Sequence, residues 1–463
     1  MRNFVEVLKS LSPSPQDRIS KEDFLSCAKK FHQQRWEEIY QNHREGYSGR
    51  QILKQLSETA DIMMEGVLLY AIYDTGVNKK VLDDIALCAL GGYGRRELSP
   101  YSDYDLCFLH KVEMEHSLIE PLIQNFTTML WDLGLQVGIS IYTVPEAIHL
   151  VEEDPKTFTS YLHIRNIIGQ PHLAEQLKEG LKGISQNVRS KVFDIIFQRM
   201  DTAFSQSGKD LFSYEPDIKE NVGGLRDYHA TLWVLGLDNK PVSTLEDIGK
   251  SGYIEDTDYL SLTENLDFLW KIRNELHFVK SKTWDLLTVE MQYHVAQAFN
   301  YGGLPDESIE RFMEDFYSSA MRIHWLFEYV ARKAEQKNFP KSAYELPATN
   351  LDKKSNYVIY NGYLSLTVDD PNWFIENPVR IMELFWEVSR RKVPLGYTLQ
   401  HWVQQSLHLI NDSFRANEVV SKYFLAICSK PFSAGFTFRE MDKVGALSQY
   451  LPEFGAIQGI IRY

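Results

Sequence analysis

Leu90-Gly91-Gly92-Tyr93-Gly94-Arg95-Arg96-Glu97-Leu98-Ser99-Pro100-Tyr101-Ser102-Asp103-Tyr104-Asp105 is the stretch whose reading decides the fold. One apolar run, residues 85–90, leads into it and a second, residues 104–109, closes it, so two buried strands are expected on either side of a glycine turn. Glycines after a buried strand let the backbone approach phosphate oxygens with no Cβ in the way, and their N–H groups can cradle negative charge. Side chains two apart on a strand share a face, so Asp103 and Asp105 project together while Tyr104, Leu106 and Phe108 pack on the other side. Two carboxylates in one place are unfavourable unless a divalent cation neutralises them or one is protonated. Hard oxygen ligands suit magnesium or manganese carrying a triphosphate, an arrangement that serves phosphoryl and nucleotidyl transfer. The bland reading is a tight turn followed by two exposed acids at a strand entrance. Neither half is specific alone, and it is their conjunction that favours chemistry. Asp103 and Asp105 are therefore the expected catalytic metal ligands, and Gly91, Gly92, Gly94 and Ser102 the expected nucleotide contacts. Arg95 is either a phosphate clamp or a solvated turn residue. Arg96 is expected to be solvated.

Upstream, residues 20–73 show apolar positions at three-and-four spacing broken by Gly46-Tyr47-Ser48-Gly49, which predicts two or three leading helices. Downstream, residues 127–133 look helical, and residues 135–144, with Val137, Ile139, Ile141 and Thr143, suggest a third strand. Strand signals then mostly vanish. Amphipathic patterns cover residues 175–204, 225–237, 259–280 and 309–337, and a Pro-, Asn- and Lys-rich stretch at 338–356 marks a boundary. Residues 357–368 predict a hairpin around Asn361-Gly362. The expected class is α+β: a mixed sheet with helices, followed by largely helical regions. The expected division is a helical segment 1–84, a nucleotidyltransferase domain 85–190, a helical domain 191–340 and a mostly helical region 341–463.

The 463 residues are 44% hydrophobic and 24% charged, the composition of a globular protein with room for roughly three domains. A formal net charge of -14 disfavours broad binding to nucleic acid or an anionic membrane, leaving a small anionic ligand or a protein partner. The first residues lack the apolar core of a signal peptide, and the longest early apolar run, residues 67–73, is too short to span a bilayer. Cys27, Cys88, Cys107 and Cys428 never form a C-x-x-C pair, so reduced cysteines and a cytoplasmic setting are expected.

Gly223-Gly224 opens a helix-like run, and such an N-terminus can hold an anion on its free N–H groups. Lys219 and Arg226 would then contact phosphate or the acceptor; alternatively, Lys219, Glu220, Arg226 and Asp227 form a structural salt-bridge cluster. Around residues 262–279 the helical period puts Arg273 and His277 on the apolar face. Arg273 is expected to brace the fold in an ion pair, and His277 to be a satisfied core histidine.

The quoted stretch resembles the nucleotidyltransferase region of bacterial PII-protein uridylyltransferase/uridylyl-removing enzymes, whose pattern is close to G-G-[YF]-G-R-x-E-L-x-P-x-S-D-x-D; every fixed position from Gly91 to Asp105 matches. The resemblance extends through Asp154-Pro155-Lys156-Thr157, Arg165 and Gly169, then Ile218 to Asp227, Phe268 to His277 and Pro452-Glu453-Phe454. It implies transfer of UMP from UTP to a tyrosine hydroxyl of a PII-type signalling protein, with pyrophosphate released. Three departures stand out. Where the family reads close to V-G-H-S-V-R-T, this chain has Ile139 and Tyr142 in place of the histidine and arginine, and the third acid that many nucleotidyltransferases carry on that strand is not present between residues 135 and 144. Asn221-Val222 replaces a common Gly-Pro. The family would also continue past Tyr463 into a histidine-aspartate hydrolase domain; no His-Asp dipeptide occurs here, so removal of UMP is not expected. Competing expectations are a nucleotidyltransferase with another nucleoside triphosphate or protein acceptor, and a non-catalytic nucleotide-sensing module.

Overall fold

The computed structural model describes residues 19–457 apart from 115, 206–212, 239–241, 243, 255, 339–355, 361–362, 368–369 and 371. The chain divides into two compact units, residues 1–334 and 335–463. The stretch expected to be a boundary, 338–356, lies almost wholly outside the described residues.

The first unit begins with two helices, α1 (Lys21–Arg44) and α2 (Gly49–Thr75). Ser20 caps the first by accepting from the Asp23 N–H, and Ser48 with Gln51 forms a reciprocal capping box on the second. A four-stranded sheet follows: β1 (Ile85–Ala89), β2 (Tyr104–His110), β3 (Val137–Thr143) and β4 (Arg165–Gly169), in the order β3-β2-β1-β4. β2 and β3 are parallel, whereas β1 is antiparallel to both its neighbours, so the sheet is mixed and the class is α+β as expected. The alternation along β2 has the predicted sense. Leu106 and Phe108 enter the main core with Leu87 of β1 and with Val67, Leu68, Phe126 and Met129 from α2 and the helix α3 (His116–Asp132).

Three elements differ from the sequence reading. β4 gave no strand signal: five residues, Arg165-Asn166-Ile167-Ile168-Gly169, are too few to show a period. The amphipathic pattern at 175–204 is two helices, Pro171–Lys182 and Gln186–Ser205, interrupted at Gly183. A further helix, Val289–Ala298, was not foreseen. The remaining helical predictions hold: α4 (Leu225–Leu237), α5 (Asp256–Lys280) and α6 (Pro305–Asn338).

In the second unit Tyr357–Tyr360 and Tyr363–Leu366 pair antiparallel as the expected hairpin; its Asn361-Gly362 turn lies outside the described residues. Helices gather around a core that includes Leu384, Phe385, Val388 and Val403. No described helix is long and apolar enough to cross a membrane. The four cysteines are free thiols, with Cys88 and Cys107 directly opposite one another on β1 and β2.

Candidate active site

The chain leaves β1 into a single helical turn, Gly91–Gly94, and returns along residues 95–103 to β2. Gly91 has φ +52, a conformation in which a side chain is strained, and a Cβ there would lie 3.4 Å from Asp105 Oδ2, so the turn rests against this carboxylate. Arg165 of β4 fixes the turn from behind. It makes two 2.9 Å bonds to Asp61 and donates to the carbonyls of Gly94 and Tyr93.

A cavity of about 370 Å³ opens between this turn and the start of α4. Gly91, Gly92, Arg95, Ser102, Asp103, Asp105, Lys219 and Arg226 all line it, residues drawn from positions 91 to 226 of the chain. Gly94 does not. It is buried, and a Cβ there would sit 2.1 Å from the His163 carbonyl oxygen, so its lack of a side chain serves packing rather than nucleotide contact.

Burial, reinforced by neighbouring Asp103 and opposed by Lys219, raises the Asp105 carboxyl above its ordinary range. Lys219 is lowered by burial and then by Arg273 and Arg226. Neither aspartate has a cation within 4 Å among the described residues, and Lys219 has no carboxylate within that distance. The arginines differ. Arg95 is not solvated: its side chain is buried, lines the cavity and donates from Nε to Glu97 at 2.6 Å, while the other Glu97 oxygen accepts from the Tyr228 hydroxyl at 2.6 Å. Arg96 is half exposed, as expected, 3.6 Å from Asp61. Arg226 is held by Glu220 at 2.6 Å.

Of the alternative cluster, only this Arg226–Glu220 pair forms; Asp227 binds His324 at 2.8 Å. Asp227 also overturns the anion-binding reading of Gly223-Gly224. Its carboxylate accepts from the Gly223 N–H at 2.8 Å, and the Leu225 and Arg226 N–H groups donate to the Ile218 and Lys219 carbonyls at 2.9 Å. The free donors that an anion needs at a helix start are used up. Gly223, at φ +77, is required instead because a Cβ would lie 2.3 Å from the Ala320 carbonyl oxygen.

Arg273 braces as predicted. It binds Asp285 through two bonds, 2.7 and 3.1 Å, and reaches Ser99 Oγ, while His277 contacts Asp285 at 3.0 Å and the Pro100 carbonyl. Burial alone would raise the Asp285 carboxyl, but the His277 hydrogen bond and the Arg273 charge hold it far below the usual range. The segment between the glycine turn and the aspartates is thereby pinned to α5.

On β3, the position level with Asp105 is Gly138, and a Cβ there would approach Asp105 Oδ1 to 3.4 Å. Ile139 faces the core beside Leu106. Tyr142 pairs with Leu109, four residues and about 13 Å along the strand, and does not line the cavity. Neither replaced position lines the cavity that holds the carboxylate pair.

Sequence reasoning missed four residues of the site. Glu97 stood in plain view inside the quoted motif. His229 and Trp233 line the cavity from α4, three and seven residues after Arg226, a one-face helical stripe that could have been read. Asp285 follows α5 in a loop with no pattern to announce it.

Residues 197–331 match a family model described as GlnD PII-uridylyltransferase, and residues 357–450 one described as the uridylyltransferase GlnD third domain. Both regions are therefore similar to GlnD-type uridylyltransferase domains. Relatives named bifunctional uridylyltransferase/uridylyl-removing enzyme align from Ectopseudomonas mendocina, 32% identical over 384 residues, Pseudomonas aeruginosa, 30% over 384, and Azotobacter vinelandii, 29% over 385. Each alignment covers 82% of this chain and 42% of the relative, so the chain spans less than half the length of the GlnD-type relatives it matches.

Proposed function

We propose that this chain is a metal-dependent nucleotidyltransferase that moves UMP from UTP to a tyrosine hydroxyl of a PII-type protein. The observation that carries the reading is one cavity in which a glycine turn and the Asp103–Asp105 pair face an unpaired Lys219. The uridylyltransferase name of the relatives points to the nucleotide class, and the PII-uridylyltransferase description of the family matched by residues 197–331 points to the acceptor class.

The donor set fits a magnesium or manganese ion. The two carboxylates crowd together, Lys219 offsets Asp105 only in part, no described group of three or more acids, histidines or cysteines forms a fuller ligand set, and magnesium is commonly held by one or two carboxylates plus substrate phosphates. Asp103 and Asp105 would hold the ion, which when bound supplies charge neutralisation for the triphosphate. The chain's own residues do the rest. Gly91 and Gly92 admit the phosphate chain without steric hindrance, and Lys219 sets its charge against the leaving pyrophosphate. Arg95, Arg226 and Arg273, each already neutralised, shape the wall. The phenolic oxygen bonds to the α-phosphorus as the bond from that phosphorus to the β-phosphate oxygen breaks. Pyrophosphate leaves and the phenolic proton passes to solvent.

Calorimetry with UTP, ATP, CTP and GTP, each with and without magnesium, tests the reading. Metal-dependent binding strongest for UTP, abolished in Asp103→Ala/Asp105→Ala, is the expected result. Equal binding by the double variant overturns it.

A further inference from the structure

A second cavity of about 590 Å³ adjoins the first, within the range of roughly 300–1,000 Å³ typical of ligand sites, and the two share Ser102 and Thr283 on their rims. Its character is different. Where the first cavity is lined by charged groups, the second is walled by Trp36, Tyr101 and Tyr104 and edged by the amides of Gln33 and Gln136, with Lys282 its one cation. The rings are already ordered. Trp36 meets Tyr101 edge-to-face at 4.8 Å and Phe278 at 5.7 Å, and His32 stacks on Trp36 at 5.9 Å. Tyr101 is held at φ +58, with its carbonyl accepting from the Thr283 hydroxyl at 2.7 Å.

The position of this cavity along the reacting axis matters most. The glycine turn lies against Asp105, whereas the second cavity begins at Tyr101 and Ser102, beyond Asp103. In-line displacement requires the attacking oxygen to arrive opposite the leaving group. The two cavities meet at Ser102 and Thr283, so an attacking oxygen seated in the second enters the first past Ser102. A cavity with one cation and an aromatic wall suits a neutral ring better than a phosphate, and edge-to-face packing favours a phenol.

We infer that the cavity between Trp36, Tyr101 and Gln136 is the docking site for the acceptor's tyrosine side chain, its hydroxyl pointed past Ser102 toward the α-phosphorus. This rests on the transfer reading above. Gln33 and Gln136 would hydrogen-bond the backbone of the loop that carries the tyrosine.

The test measures binding of a PII protein from the same organism to the full chain, with and without magnesium and a non-transferable α,β-methylene analogue of UTP. Trp36→Ala should weaken PII binding by about 30-fold, the scale of a central aromatic anchor, while Trp36→Phe stays near wild type. Because Trp36 also packs on Phe278, Gln33→Trp provides the second arm: Gln33 is exposed, so the new ring fills the cavity mouth without disturbing the core, and PII binding should fall similarly. Both variants should keep wild-type affinity for the analogue. Weakened analogue binding with PII affinity unchanged would assign the cavity to the nucleobase and overturn the inference, as would wild-type PII binding by both variants. If the wild type binds no analogue, the transfer reading fails, and PII binding without nucleotide still decides the cavity.

Discussion

Asp103 and Asp105 stand at a strand end with no cation in ion-pair reach among the described residues, whereas Arg95, Arg226 and Arg273 across the same cavity each hold a carboxylate of their own. The difference separates what the cavity offers a ligand from what it needs to stand. An arginine paired with a carboxylate attracts phosphate more weakly, because its charge is already partly met. The charges free to meet a ligand are the crowded acids on one wall and Lys219 on the other. Such an imbalance suits a ligand that brings both signs, a cation bound to a polyphosphate.

The largest effect should come from breaking a structural pair. Asp285→Asn leaves Arg273 buried without its counter-charge, and the expected loss is about 3–5 kcal/mol in urea unfolding. The pH dependence carries the same signature. Since the folded Asp285 carboxyl lies far below its unfolded value of 3.8, its contribution is fully present above about pH 4 and is lost as pH falls below that. Wild type should therefore lose stability on acidification more steeply than Asp285→Asn. A loss under about 1 kcal/mol would mean that Arg273 is not the brace described.

A smaller and more selective effect should follow at the cavity's unpaired cation. Lys219→Met is expected to weaken magnesium-nucleotide binding by roughly 10- to 100-fold with little change in unfolding, the scale of one lost charged contact. Arg226→Met should change it by no more than about threefold, since Glu220 already holds that charge. Equal losses in the two variants would erase the distinction between ligand-facing and structural cations.

What the sequence disclosed follows the same division. The strand–glycine turn–strand unit was legible because its signals are local: an apolar run, a cluster of glycines, and acids two apart. Ser102 and Lys219 were legible only as parts of motifs. The roles of Arg95 and of Gly223-Gly224 were not, because they depend on what packs behind them, Glu97 and Tyr228 in one case and Asp227 and Ala320 in the other. Asp285 was invisible for the same reason, being defined by its partners on α5. The distance of Tyr142 from Asp105 was not legible either, because it depends on the register of β3 against β2, which no single strand reveals.

The central claim is that the Asp103–Asp105 pair performs transfer and not merely binding. It is tested most directly by a single-turnover reaction in which α-labelled UTP, magnesium and a PII partner from the same organism are mixed with excess chain. The account predicts that wild type labels the partner, that Tyr142→Arg brings no gain, and that Asp105→Asn, which keeps the shape of the site but removes a charge, loses at least about 100-fold in rate. Tight nucleotide binding with no labelled partner under magnesium or manganese, or labelling by Asp105→Asn at the wild-type rate, would contradict it.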